Sequence, residues 1–294
     1  MYELTVILIT YNHSDVIADC VNSLNLQAVP FKLIVVDDAS TDNTVEIITK
    51  QFAGTFQLIQ NQENRGIGQL SLNYNDALRE VDTKYLAIIE GDDVWDKNKL
   101  AEQLTFHKSL NLDFSCTMGY YLTGNGTELM YTGKADWTTL KREDLILRLL
   151  FKKNSFNVPS SSFLFSTDAL IRINGFYQPK GWNWVDKPTV YKLLVNGGKF
   201  GRLDIPLTYW RRHDNSFTVK NHKALLSSSY YAHKMSIFDD AGTYLQHFKN
   251  FCTICYCLTE LRRQPSSINF ARCLIGFIKS PISTFRYIQL QYYK

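Results

Sequence analysis

Short apolar runs alternate with amphipathic stretches over the first 110 residues. Leu4–Ile9, Leu33–Val36, Phe56–Ile59 and Tyr85–Ile89 predict buried strands. Between them, apolar positions recur at three- and four-residue spacing. That periodicity predicts helices over Asp15–Leu26, Thr44–Phe52, Ile67–Val81 and Lys97–Lys108. Strand–helix alternation builds a parallel sheet with helices on both faces, and ligands of such sheets sit beyond the carboxyl ends of the strands. The rhythm changes after residue 111. Residues 112–133 predict strands joined by a hairpin at Thr123-Gly124-Asn125-Gly126. A helix follows over 140–151, a strand over Ser161–Phe165 and a helix over Asp186–Val195. Short strands are expected over Lys199–Arg202 and Leu207–Trp210. No linker-like stretch divides this part from the first, so the pattern predicts one mixed, mostly parallel α/β sheet flanked by helices. From residue 221 onward the pattern predicts helices, a C-terminal helical extension.

Polar residues crowd every strand exit. Thr10-Tyr11-Asn12-His13-Ser14-Asp15 follows the first strand, and Asp37-Asp38-Ala39-Ser40-Thr41-Asp42 the second. Asn64-Arg65-Gly66-Ile67-Gly68 lies near the third, and Glu90-Gly91-Asp92-Asp93-Val94-Trp95 follows the fourth. One acidic exit is explained by helix capping; two paired-acid exits in one sheet call for a ligand. Carboxylates as close as Asp92 and Asp93 repel, so one protonates or they share a cation. Oxygen-only ligands select hard ions, Mg²⁺ or Mn²⁺, and an incomplete protein set suits a metal that also takes phosphate oxygens.

Composition narrows the class. Of 294 residues, 45% are hydrophobic and 20% charged, which excludes a disordered chain. Six scattered cysteines exclude a disulfide scaffold. Cys252, Cys255 and Cys257 lie on a predicted helix with only Cys273 nearby, so they read as buried thiols. No apolar run approaches the roughly 18–20 residues of a membrane span, and Leu4–Ile9 has no basic region before it and no small-residue cleavage site, so it is not expected to be a signal peptide. The expected setting is cytoplasmic.

The net charge of +4 is unevenly placed. Residues 1–241 carry 25 basic and 27 acidic residues, whereas residues 242–294 carry seven basic residues and a single acid, Glu260. Phe270, Phe277, Phe285, Tyr287, Tyr292 and Tyr293 lie in the same stretch. Basic and aromatic residues on a helical pattern read as an interfacial helix on an anionic membrane surface. The alternative reading packs those helices on the main domain or on a second copy as a homodimer. No nucleic-acid motif accompanies the charge, so nucleic acid is not an expected partner.

Absent motifs remove several chemistries. There is no dinucleotide-binding Gly-x-Gly-x-x-Gly after the first strand, no Walker A loop and no Gly-x-Ser-x-Gly elbow. The four exit segments, in this order and spacing, resemble the inverting, nucleotide-sugar-dependent glycosyltransferases of family 2, which have the GT-A (Rossmann-like) fold. The resemblance covers roughly residues 1–218, which it makes the catalytic domain, with 219–294 as the helical C-terminal region.

The resemblance implies roles by position. Asp38 would contact the nucleoside with Thr10, Tyr11 and Asn12, and Gly66 would lie in the donor site. Glu90-Gly91-Asp92-Asp93 stands where the family has its Asp-x-Asp signature, with Glu in the leading position; Asp92 and Asp93 would hold the ribose and the metal–diphosphate, with the metal on one or the other. Leu72 occupies a position where the family often has an arginine, and Arg65 is its expected substitute at the diphosphate. Asp186, before Tyr191-Lys192-Leu193-Leu194, stands in the place of the catalytic base. Tyr209-Trp210-Arg211-Arg212-His213 resembles a late aromatic-Arg-x-His segment, with His213 at the metal or the diphosphate and Arg211 or Arg212 at phosphate. Trp182 and Trp184 would be apolar platforms for a sugar ring.

The implied activity is transfer of one sugar from a nucleotide-sugar donor, a UDP-sugar foremost, to a hydroxyl acceptor with inversion. A lipid-linked glycan in cell-surface polysaccharide assembly is the expected acceptor, which would place the enzyme at the inner face of the membrane. Two other readings stand beside it. A nucleotidyltransferase also uses paired acids, but brings a glycine- and basic-rich loop after the first strand that Thr10–Asp15 is not. A non-catalytic nucleotide-sugar-binding or partner-binding subunit would have no need of Asp186.

Overall fold

The computed structural model describes residues 2–130, 142, 145, 158–179 and 183–212. The chain divides into two units, Met1–His213 and Asp214–Lys294, and the described residues all belong to the first. The predicted helix over 140–151 falls almost wholly outside the described residues, as do the helices predicted after 221.

Nine strands form one mixed sheet: β1 (Leu4–Thr10), β2 (Lys32–Asp37), β3 (Phe56–Gln60), β4 (Tyr85–Glu90), β5 (Val94–Trp95), β6 (Phe114–Thr123), β7 (Gly126–Leu129), β8 (Leu164–Ser166) and β9 (Phe200–Arg211). Their order is β3-β2-β1-β4-β8-β6-β9-β5, with β7 paired to β6. The first four strands run parallel, and β8 joins β4 antiparallel. The helices whose bounds lie within the described residues are α1 (Ile17–Asn25), α2 (Thr44–Gln51), α3 (Leu70–Arg79), α4 (Lys99–Ser109), α5 (Thr167–Arg172) and α6 (Asp186–Val195).

The buried interior follows from the run composition. All seven residues of β1 are buried, because a central parallel strand meets side chains on both faces. Leu8, Val35, Ala87 and Ile89 pack with Ile17, Val21 and Leu24 of α1. The predicted burial of β3 is corrected: Leu58 is 39% exposed, because β3 is an edge strand with a single neighbour. The predicted helix over Ile67–Val81 is two pieces, a 3-10 turn at Ile67–Gln69 and α3, entered through Gly66 at φ 69°. Lys199–Arg202 and Leu207–Trp210 are parts of one strand, β9. Its pairing with β6 shifts register on both sides of Met118, opposite Pro206, which has no N–H for the ladder. The predicted strand at Ser161–Phe165 begins only at Leu164, because Ser160–Ser162 forms a 3-10 turn.

A polar layer lies between α4 and β6. Gln103 Nε2 donates to Ser115 Oγ (3.2 Å) and to the Ser162 carbonyl (2.9 Å). His107 Nδ1 lies 3.0 Å from the same Ser115 Oγ, and its Nε2 is buried without a hydrogen-bond partner. Burial pushes His107 down to about 4. The unfolded ring takes a proton as pH falls past about 6.5 while the folded ring stays neutral. Its contribution is thus complete above that pH and is lost as pH falls through 4. We expect about 3 kcal/mol of acid destabilisation from this group. Urea unfolding between pH 7.5 and 4 checks it: His107→Gln should flatten the pH slope by about one proton, and equal slopes would assign the loss elsewhere.

Candidate active site

The first two strand exits interlock. Thr10 is the register partner of Asp37, and the Asp38 N–H donates to the Thr10 carbonyl at 2.9 Å. Asn12, at φ 50°, accepts from the Thr41 N–H with its Oδ1 and donates its own N–H to Ser40 Oγ. His13 and Ser14 donate main-chain N–H groups to Thr44 Oγ1 and Asp42. Tyr11 is left 40% exposed at the mouth of this pair of loops. Buried Asp37 takes Ser40 and Gln60 as donors, so it is an internal anchor of its loop.

Asp38 gathers the third exit. Its Oδ1 accepts from Asn61 Nδ2 (2.6 Å) and the Arg65 N–H (3.1 Å), and its Oδ2 from the Gly66 N–H (3.1 Å). Asp38 thereby shapes the loop 61–66 beside Thr10–Asn12. The Arg65 guanidinium is docked on α3, 2.5 Å from Asp76 and 3.1 Å from Asn73 Oδ1. It thus reaches the helix on which Leu72 is exposed.

The fourth exit holds the acids. Glu90, Asp92 and Asp93 bring ligand oxygens within 4.8 Å of one another. The turn fits tightly against β1: a Cβ at Gly91 would stand 2.7 Å from His13 Nδ1 and 2.8 Å from Thr10 Oγ1. Asp93 is fully buried, its Oδ2 accepting from Ser161 Oγ (2.5 Å) and its Oδ1 from the Arg211 N–H (3.0 Å). Glu90 Oε1 accepts from Ser160 Oγ at 2.6 Å. Arg211 also donates through Nε to the Asp92 carbonyl and reaches Asp19 on α1, which clamps the turn from β9. Trp95 closes the far side, its indole N–H donating to the Ser161 carbonyl. The buried Lys99 amine, which has no hydrogen-bond partner, lies 3.7 Å from the centre of the Trp95 ring.

Electrostatics marks this turn. Burial, then the Asp92 charge, pushes Glu90 up to about 7, with Ser160 opposing and Asp186 adding to the rise. Burial and the charges of Asp92 and Glu90 push Asp93 up as well, against the Ser161 and Arg211 hydrogen bonds. Asp186 opens α6, half-buried, and burial raises it while Lys187 and main-chain N–H groups oppose. The Tyr74 hydroxyl of α3, buried and without a partner, feels Glu90, Asp186, Asp93 and Asp92 in that order. Three mutually repelling carboxylates with only oxygen donors fit a hard divalent cation.

A family model for glycosyl transferase family 2 matches residues 5–173. The chain belongs to that family. It is similar to TuaG of Bacillus subtilis, named for teichuronic acid biosynthesis: 33% identity over 129 residues, 43% of this chain and 50% of that protein. It therefore spans about half the length of that relative. It is also similar to WfaP of Escherichia coli, named as a UDP-Glc:alpha-D-GlcNAc-diphosphoundecaprenol beta-1,3-glucosyltransferase. There identity is 25% over 230 residues, 78% of this chain and 85% of that one. Among solved structures, Staphylococcus aureus TarS residues 1–349 with UDP-GlcNAc aligns with a TM-score of 0.67 at 20% identity. That alignment covers 94% of this chain and 80% of the other, and it shows the GT-A fold.

Thr10, Tyr11, Asn12, Asp38, Arg65 and Gly66 of this family 2 chain therefore gather at the exits of β1, β2 and β3, and Asp92 and Asp93 sit with Glu90. Trp184 lies next to Lys187, whose amine is 5.8 Å from the ring centre. Arg212 lies over the Tyr121 ring, 5.0 Å from its centre, and its N–H donates to the Leu122 carbonyl. Trp182 and His213 fall outside the described residues. Ser160, Ser161 and Arg211 were not expected as partners of the acids. Three consecutive serines carry no periodic signal, and Arg211 holds the acid turn through both its main-chain N–H and its guanidinium. Among the described residues no helix is long and apolar enough to cross a membrane.

Proposed function

We propose that this chain transfers a single sugar from a UDP-sugar to a hydroxyl acceptor with inversion of configuration. The observation that carries the reading is the group of Glu90, Asp92 and Asp93 at the exit of β4, whose Glu90 is also raised by the charge of Asp186. Family membership and the UDP-GlcNAc held by TarS support the donor class. Thr10, Tyr11, Asn12, Asp38 and Gly66 bind the nucleoside end, and Arg65 and Arg212 serve the diphosphate. Glu90, Asp92 and Asp93, with His213 as a further candidate ligand, would hold Mn²⁺ or Mg²⁺, which when bound offsets charge on the diphosphate.

Asp186 takes the proton from the acceptor hydroxyl as that oxygen attacks the anomeric carbon. The bond from that carbon to the diphosphate oxygen breaks, and its electron pair leaves with the nucleoside diphosphate. Attack opposite the leaving group inverts the centre. The desolvation that raises Asp186 makes it a stronger base than an exposed carboxylate. Trp182 and Trp184 would serve as apolar platforms for a sugar ring. Residues 1–218 form the catalytic domain. Residues 219–294 approach an anionic membrane surface from the cytoplasm or pair two copies of the chain. The lipid-linked acceptor in the name of WfaP supports the first of these.

The stereochemistry tests this reading. Proton NMR should follow the intact chain with Mn²⁺ and UDP-glucose or UDP-N-acetylglucosamine, both α-linked donors. Slow donor hydrolysis should yield the β sugar first. First appearance of the α sugar would contradict inversion.

A further inference from the structure

We propose that Ser160 and Ser161 are positioning residues that hold Glu90 and Asp93 in place for the divalent cation. The inference rests on the cation reading of the acid turn and extends it to two residues outside that turn.

The geometry is specific. A serine hydroxyl has one proton to give. Ser161 gives its proton to Asp93 Oδ2 at 2.5 Å, and its oxygen accepts from the Glu90 N–H at 3.0 Å. One hydroxyl thus ties the side chain of one acid to the main chain of another. Ser160 gives its proton to Glu90 Oε1 at 2.6 Å. Two adjacent hydroxyls therefore set the direction of two of the three carboxylates.

The turn that carries them is itself fixed on several sides. The Ser161 carbonyl accepts from the Trp95 indole, and the Ser162 carbonyl from Gln103. Ser162 Oγ donates back to the Pro159 carbonyl. Pro159 packs so closely on β6 that a Cβ at Gly119 would stand 2.6 Å from its Cγ. Because the turn cannot drift, the acids cannot either. Partners that orient metal ligands in this way are worth about 10–100-fold in metal affinity.

The test is a Mn²⁺ titration of the full chain in the presence of UDP, with free Mn²⁺ read by electron paramagnetic resonance. Ser161→Ala is expected to weaken Mn²⁺ by about 10–100-fold and Ser160→Ala by about tenfold. Ser160→Thr, which keeps the hydroxyl, should restore near-normal affinity. UDP affinity without metal should stay within about twofold of the wild type in all three. Should Ser161→Ala not fold, the Ser160→Ala and Ser160→Thr pair decides alone. Mn²⁺ affinity unchanged in the folded alanine variants overturns the proposal. So does an equal loss of UDP affinity with and without metal, which marks a general structural role. If the wild type binds no Mn²⁺, the cation reading itself fails, an outcome distinct from wild type and variants binding it equally.

Discussion

Asp186→Asn is expected to lower turnover by about 10²–10⁴-fold while leaving UDP-sugar affinity within about twofold. The amide keeps the shape of the side chain and cannot take a proton from the acceptor. Asp186 opens α6, where asparagine also suits the first turn, so the substitution should leave the fold intact. The check is calorimetric UDP-sugar binding beside a steady-state assay of UDP release. A variant that turns over within threefold of the wild type would remove Asp186 as the base. Loss of donor binding in step with turnover would place it in the donor site instead.

The second large effect is expected at Asp92. Asp92→Asn removes a charge from the three-acid group without touching the Arg211 contact, which is to the Asp92 carbonyl. UDP binding in the presence of Mn²⁺ should weaken on the order of 10²-fold, because a cation stabilises charged phosphate oxygens by several kcal/mol. UDP binding in the absence of metal should stay the same or tighten slightly, since one repelling charge is gone. Parallel titrations with Mn²⁺ and with chelator distinguish the two. Equal weakening under both conditions would mean that Asp92 contacts the nucleotide itself.

The parts of the fold that were legible share a physical cause. β1, β2 and β4 are central strands buried on both faces, so their apolar runs are nearly continuous. The bounds of α6 matched because Asp186 and Pro188 both suit a first helical turn, and the apolar residues that follow repeat at helical spacing. What escaped the pattern was set by tertiary context. The exposure of β3 depends on its having one neighbour, which no local sequence states. The continuity of β9 through Pro206 depends on a register shift against β6.

The site divides in the same way. The acids at strand exits were legible because charge at those positions is hard to explain otherwise. Their partners were not. Ser160 and Ser161 come from a turn some 70 residues away, and the Arg211 N–H from further still. Asp38 was expected at the nucleoside, and three donors from residues 61–66 converge on it. A substitution of Asp38 would therefore disturb that loop as well as any contact with a nucleoside.

The most direct test of the central claim is thermal unfolding of the intact chain with UDP, GDP, dTDP and CMP, each with and without Mn²⁺. A ligand at about 100 times its Kd adds about 2.7 kcal/mol to the folded state, a readily measured rise in Tm. The account predicts a shift with UDP that is largest when Mn²⁺ is present. No shift with any of the four nucleotides, with or without Mn²⁺, would contradict it.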